Sequence, residues 1–179
     1  FAAALEGIRH CRDAGVKVRK VRAWMRRGLA ADVARDWSRA GFSPKETARW
    51  VDVTADPQVA GALAGLGFDP ASAAEARPEP GWTMHAVRRH VAVAAGADDA
   101  SADAWAATSL PERKLGAWVQ SGVRPDEAGD WRAHDFGPRA AARWARHRFS
   151  PTDASAWRGA EVTADIAARR RDAGVRPPA

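Results

Sequence analysis

Apolar positions along this chain recur at a fixed interval of thirteen, and each recurring column is strict in residue type. Trp24, Trp37 and Trp50 stand thirteen apart, as do Trp105, Trp118, Trp131, Trp144 and Trp157. The register runs back from Trp24 to Cys11 and forward from Trp50 to Leu63 and Ala76. Eight of the nine tryptophans share one column, the signature of an internal repeat.

The other columns follow when the Trp of each unit is counted as position zero. Position five is apolar and holds Phe42, Phe68, Phe136 and Phe149 beside Leu29, Leu110, Val123 and Val162. Gly is frequent at position four (Gly28, Gly41, Gly67, Gly96, Gly122, Gly174), Pro at position seven (Pro44, Pro57, Pro70, Pro125, Pro138, Pro151, Pro177) and Ala at position ten.

These columns predict one short helix per unit. Pro inside a helix breaks its hydrogen-bond ladder, whereas Pro at the first helical position loses only an N–H that had no partner. Position six then supplies the N-cap, from Ser43, Asp56, Asp69, Asp98, Ser150 or Thr163. Gly closes the preceding helix in a left-handed conformation, and the residue after it packs back on the Trp. "GFSP" is thus a joint between helices about ten residues long.

Helices this short do not persist alone in water and need neighbours. The predicted fold is an all-α solenoid or superhelix of about thirteen short helices. Trp24, Trp37, Trp50, Trp105, Trp118, Trp131, Trp144 and Trp157, with Phe42, Phe68, Phe136 and Phe149, are its expected core.

The register slips once. From Ala76 to Ala92 the spacing is sixteen, across "ARPEPGWTMHAVRRHV". Pro78 and Pro80 stop the preceding helix, and Trp82 precedes Thr83 as an N-cap with Val87 as its fourth helical residue. The expected organisation is a repeat block over 1–77, an irregular longer unit over 78–91 with a kink near 76–83, and a second block over 92–179. The opening Phe1 and the unfinished unit "GVRPPA" read as part of a longer array.

Charge changes this picture only modestly. Lys and Arg number 28 against 22 acids, a net charge of +6, nearly all from Arg. Residues 1–50 carry twelve basic against five acidic side chains, residues 51–110 three against eight, and residues 111–179 thirteen against nine. The sharpest cationic stretches are "VRKVRAWMRR", with Arg19, Lys20, Arg22, Arg26 and Arg27 opposite a stripe of Val18, Val21, Trp24 and Met25, and "PRAAARWARHR", with Arg139, Arg143 and Arg146. A third, Arg169 to Arg171, lies near the end of the chain.

Catalytic chemistry finds no constellation here. His85 and His90 are five apart, off one helical face, with no partner set for a metal. His134 and His147 share position three of adjacent units and read as helix-end residues. Cys11, alone and in a Trp slot, reads as a buried apolar thiol in a reducing, cytoplasmic setting. No apolar run is long enough to span a membrane. The expectation is therefore no enzyme, cofactor, metal or small-molecule substrate. What remains is a binding scaffold, with a protein partner favoured because the acidic middle of the chain would repel a uniform polyanion. Two alternatives stay open: a nucleic-acid-binding array following a DNA or RNA backbone, and a purely architectural spacer.

"AGFSPKETARW" resembles tandem "GF-S-P-E-E-A-x-x-W" repeats in actinobacterial proteins. The resemblance covers most of the chain and implies the repeat without implying an activity. "GFSPKE" is also similar to helix starts of the mitochondrial transcription termination factor family, whose helical arrays bind nucleic acid. That family uses a longer, Leu-rich, multi-helix unit, whereas this chain has a single-helix unit built on Trp, so no residue role is carried over.

Overall fold

The computed structural model describes residues 9, 12 and 18–177. Regular structure among the described residues is entirely helical. The order is α1 (Val18–Met25), α2 (Ala31–Arg39), α3 (Pro44–Trp50), α4 (Pro57–Gly65), α5 (Pro70–Glu75) and α6 (Met84–Ala94). It continues with α7 (Asp99–Ala106), α8 (Glu112–Ser121), α9 (Pro125–Ala133), α10 (Pro138–Arg146), α11 (Pro151–Gly159) and α12 (Ala164–Asp172). Most run six to ten residues, a little shorter than the ten expected. Cys11 lies outside the described residues.

Helix starts follow the cap chemistry. Pro occupies the first turn of α3, α4, α5, α9, α10 and α11. Ser43, Asp56, Asp69, Asp98 and Ser150 each accept a backbone N–H from the helix they open. Ser43 with Glu46, and Asp69 with Ser72, close reciprocal capping boxes. Thr163 precedes α12 but makes no such bond.

Helix ends follow the Gly–apolar pair. Gly41 N–H donates to the Ser38 carbonyl at 3.1 Å and Phe42 N–H to that of Trp37 at 3.0 Å, the two bonds of a Schellman ending. The same two bonds recur from Gly28 and Leu29, Gly67 and Phe68, Gly96 and Ala97, and Gly174 and Val175. They also form where Gly is absent. Asp135, Arg148 and Glu161 take left-handed φ values of 57°, 59° and 59° in the Gly slot. The apolar residue after each still bonds back to Trp131, Trp144 or Trp157. The joint therefore outlives its glycine.

Two joints depart from this pattern. After Trp50 the slot holds Thr54, a β-branched residue that resists the left-handed region. The chain turns there through Val53 and Thr54, whose N–H groups both reach the Trp50 carbonyl, and both side chains are buried. After Trp105 the slot holds Ser109, and Pro111 becomes the N-cap of α8. A third joint is modified: Ser121 Oγ donates to the Trp118 carbonyl at 2.7 Å and accepts from Val123 N–H at 3.2 Å, relaying the missing bond.

The chain divides into two compact units, residues 1–87 and 88–179, with the boundary inside α6. In the first, Trp24, Trp37, Trp50 and Leu63 pack with Ala34, Ala60 and Ala73. Trp82 joins them, its indole Nε1–H donating to the Ala73 carbonyl at 2.6 Å and its ring 5.9 Å from Phe68. Thr83 Oγ1 accepts from Ala86 N–H, which makes it the cap of α6, and Val87 is fully buried. In the second unit the five tryptophans from Trp105 to Trp157 form one core with Leu110, Leu115, Phe136 and Phe149.

Position ten is the tightest column. Ala60, Ala73, Ala102, Ala128, Ala141, Ala154 and Ala167 are 0% exposed, and so are Thr47 and Leu115 in the same slot. A side chain of one carbon lets helices approach closely. The packing reaches past the nearest neighbour: in the second unit α8 lies against α10 and α7 against α9, and in the first α1 lies against both α2 and α3.

Candidate binding surface

All nine tryptophans are buried, none more than 6% exposed. Phe136 and Phe149 are buried too, while Phe42 and Phe68 are only half-buried. The difference lies in what covers the rings. The Arg158 guanidinium sits 4.0 Å from the Phe136 centroid and Arg171 lies 4.8 Å from that of Phe149. The position matching Arg158 by register for Phe42 is Ala64, too short to reach across a ring. Edge-on contacts tie the aromatic columns together, with Phe136 5.2 Å from Trp131 and 6.4 Å from the next Trp144.

The same two arginines bond to helix ends two units back. Arg158 donates to the carbonyls of His134 (2.8 Å) and Asp135 (3.1 Å), and Arg171 to that of His147 (2.6 Å). A cation at carbonyls left open by a helix end is favourable. His134 and His147 also engage the helix two units on: His147 Nε2 lies 2.8 Å from Asp165, and Thr152 reaches His134 Nε2 at 3.5 Å. His134 Nδ1–H donates to the Asp130 carbonyl. These ties use position one and position three, columns in which the residue type changes from unit to unit. The detectable signal was an Arg at position one two units after a Phe.

Of the basic residues singled out from sequence, Arg22 is exposed on α1 and Arg26 and Arg27 are exposed in the turn after it, where Arg27 donates to the Ala23 carbonyl. Arg19 and Lys20 lie on α1, but their side chains fall outside those described, as does Val18 of the expected apolar stripe. Val21 and Trp24 of that stripe are buried, whereas Met25 is 40% exposed because α1 ends at it. His85 and His90 are exposed on α6.

Arg139, Arg143 and Arg146 are exposed on α10, a helix with no acidic residue. Their spacing of four and three puts them on one face. Their side chains make no hydrogen bond or ion pair with a described residue. Other charges nearby are occupied: Arg124 pairs with Glu127 and Asp126, Arg171 with Asp172, and Arg89 with Asp99 and Asp103. The last pair set neutralises part of the acidic middle of the chain.

Two hollows flank α10. One, of about 700 Å³, is lined by Ala117, Gln120 and Ser121 of α8 and by Gly137 to Ala140 at the start of α10. The other, of about 350 Å³, is lined by Ser121, Gly122, Arg124 and Glu127 on one side and by Ala142, Ala145 and Arg146 of α10 on the other. The two hollows share Ser121. Arg139 lines the first and Arg146 the second.

No helix among the described residues is long and apolar enough to cross a membrane. No known family matches the chain, and neither the curated proteins nor the solved structures give a match.

Proposed function

We propose that this chain is a non-catalytic helical-repeat scaffold, a solenoid of thirteen-residue units that binds a protein partner beside α10. The observation that carries this reading is the burial of every tryptophan at 6% exposure or less. A reader of single-stranded nucleic acid stacks bases on open aromatic rings, and among the described residues the large exposed hydrophobics are Met25, Val93, Ile166 and Val175. What α10 offers instead is a short cationic face of Arg139, Arg143 and Arg146 with a hollow on either side, which suits a polypeptide.

The solenoid reading rests on the recurrence of one offset. Arg158 and Arg171 both bond 24 positions back, and His147 and Thr152 both pair across 18. Equal offsets at successive units mean that each unit repeats its neighbour's geometry. Stability in such an array is a sum over local interfaces, here those to the next helix and the one after it. Deleting residues 138–150, one complete unit, from the full chain should therefore leave a cooperative melt and unchanged helicity per residue. An unfolded product would rule out the array.

Fluorescence anisotropy with labelled duplex DNA, single-stranded DNA and RNA tests the partner class. At about 50 mM salt no micromolar binding is expected. Micromolar binding that falls steeply by about 200 mM salt would replace the protein-partner reading with backbone recognition.

A further inference from the structure

Charge in the second unit is sorted by alternate helices. α7 lies against α9, and α8 against α10. α10 in turn meets α12, where His147 Nε2 stands 2.8 Å from Asp165 and the His147 carbonyl accepts from Arg171. The α7–α9 pair carries Asp99, Asp103, Asp126, Glu127 and Asp130 against a single cation, Arg132. The α8–α10–α12 set carries eight cations against three acids, Glu112, Asp165 and Asp172.

Most of these acids are already engaged. Asp99 and Asp103 pair with Arg89, Asp126 and Glu127 with Arg124, Asp165 with His147 and Asp172 with Arg171. Five cations are not. Arg113, Arg139, Arg143, Arg146 and Arg169 are exposed, and their side chains make no hydrogen bond or ion pair with a described residue. The uncompensated charge is therefore positive and belongs to one set of helices.

Its placement follows the repeat. Arg113 and Arg139 hold the same position of neighbouring helices, and so do Arg143 and Arg169. Packed helices lie about 8–10 Å apart, so the three arginines of α10 have a further cation on each neighbouring helix. Along α10 they are separated by rises of about 6 and 4.5 Å, at 1.5 Å per residue. Carboxylates at i, i+4 and i+7 of another α-helix share one face with those same rises. Such a helix laid along α10 sets one carboxylate against each guanidinium, within the field of Arg113 and Arg169.

We propose that the α8–α10–α12 surface docks an acidic α-helix of a protein partner, with carboxylates at i, i+4 and i+7. This assignment rests on the protein-scaffold reading above and adds the chemistry of the partner.

The test is fluorescence anisotropy of the full chain with a labelled, capped Ala/Gln helix carrying Glu at i, i+4, i+7, i+11 and i+14, a pattern that matches α10 in either direction. Micromolar binding is expected at about 50 mM salt, weakening severalfold by about 200 mM as the ion pairs are screened. A probe of the same composition with its Glu residues spread around the helix should bind about fivefold more weakly, the scale of losing two exposed ion pairs. R139Q/R143Q/R146Q should remove binding with helicity unchanged by circular dichroism, and R113Q or R169Q should each weaken it about two- to threefold. R132E, which takes positive charge from α9 instead, should leave it unchanged. No binding at the lower salt, equal affinity for the two probes, retained binding by the triple variant, or an equal loss from R132E would overturn the docking assignment and leave the scaffold reading standing. That reading fails instead if DNA or RNA of equal charge binds the chain more tightly than the peptide.

Discussion

The guanidinium of Arg158 lies 4.0 Å from the ring of Phe136 while donating to the carbonyls of His134 and Asp135. One side chain thus covers an aromatic of the core and satisfies the end of a helix two units earlier. Arg171 repeats the arrangement on Phe149 and His147. Arg158→Ala should destabilise the second unit by about 1–2 kcal/mol, the sum of an exposed cation–π contact and hydrogen bonds to open carbonyls. Arg158→Lys should recover less than half of that, since an ammonium lacks the planar fork. Urea melts of the two variants measure the difference, and equal stabilities for Ala and wild type would remove the tie.

The left-handed slot makes opposite predictions at two positions. Gly41 has φ 91° and open space where a Cβ would stand, so a substitution is opposed by backbone conformation alone. Gly41→Val should cost about 1–2 kcal/mol. Arg148 holds φ 59° against the preference of an L-residue, so Arg148→Gly should stabilise by about 0.5 kcal/mol after the entropy of Gly is offset. Thermal melts of the two variants should move in opposite directions.

Core columns differ in how they fail. Trp131 is 1% exposed, and Trp131→Ala should cost about 3–5 kcal/mol through the cavity it leaves. Ala141 is 0% exposed in the closest-packed column, and Ala141→Leu should cost about 1–3 kcal/mol through overpacking. A Leu variant as stable as wild type would show that the helices have room to part.

Acid should loosen the helix starts. Side-chain and backbone hydrogen bonds from Ser43 hold the Glu46 carboxyl below the ordinary range, and backbone and side-chain bonds from Ser72 and Ser101 do the same for Asp69 and Asp98. A carboxyl with a depressed folded-state pKa stabilises fully above its unfolded pKa, and the contribution vanishes as pH falls through the folded value. Stability should be level above about pH 5 and decline below about pH 4. Asp69→Asn with Asp98→Asn keeps an acceptor at each cap and removes the titration, so the double variant should show a shallower acid decline in melting temperature.

Much of this protein was legible in one dimension because its constraints are local. Pro at the first turn, Ser or Asp before it, and Gly after it act through the backbone of neighbouring residues, so "GFSP" specifies a joint wherever it occurs. The slip at Pro78 and Pro80, with Thr83 as cap and Trp82 beside Val87 in the core, was readable for the same reason. Tertiary structure decided the rest. It alone holds Asp135, Arg148 and Glu161 in a conformation their own chemistry resists, because the packed apolar residue that follows each one (Phe136, Phe149 or Val162) is worth more than the local strain. It alone brings Arg158 across 24 positions to His134, and lays α8 beside α10 with a hollow between Ala117, Gln120 and Ser121 and the start of α10. Those relationships depend on how each helix packs on the ones before it, which is set by the summed contacts of Trp, Phe and Ala side chains between helices, and no single stretch of sequence contains it.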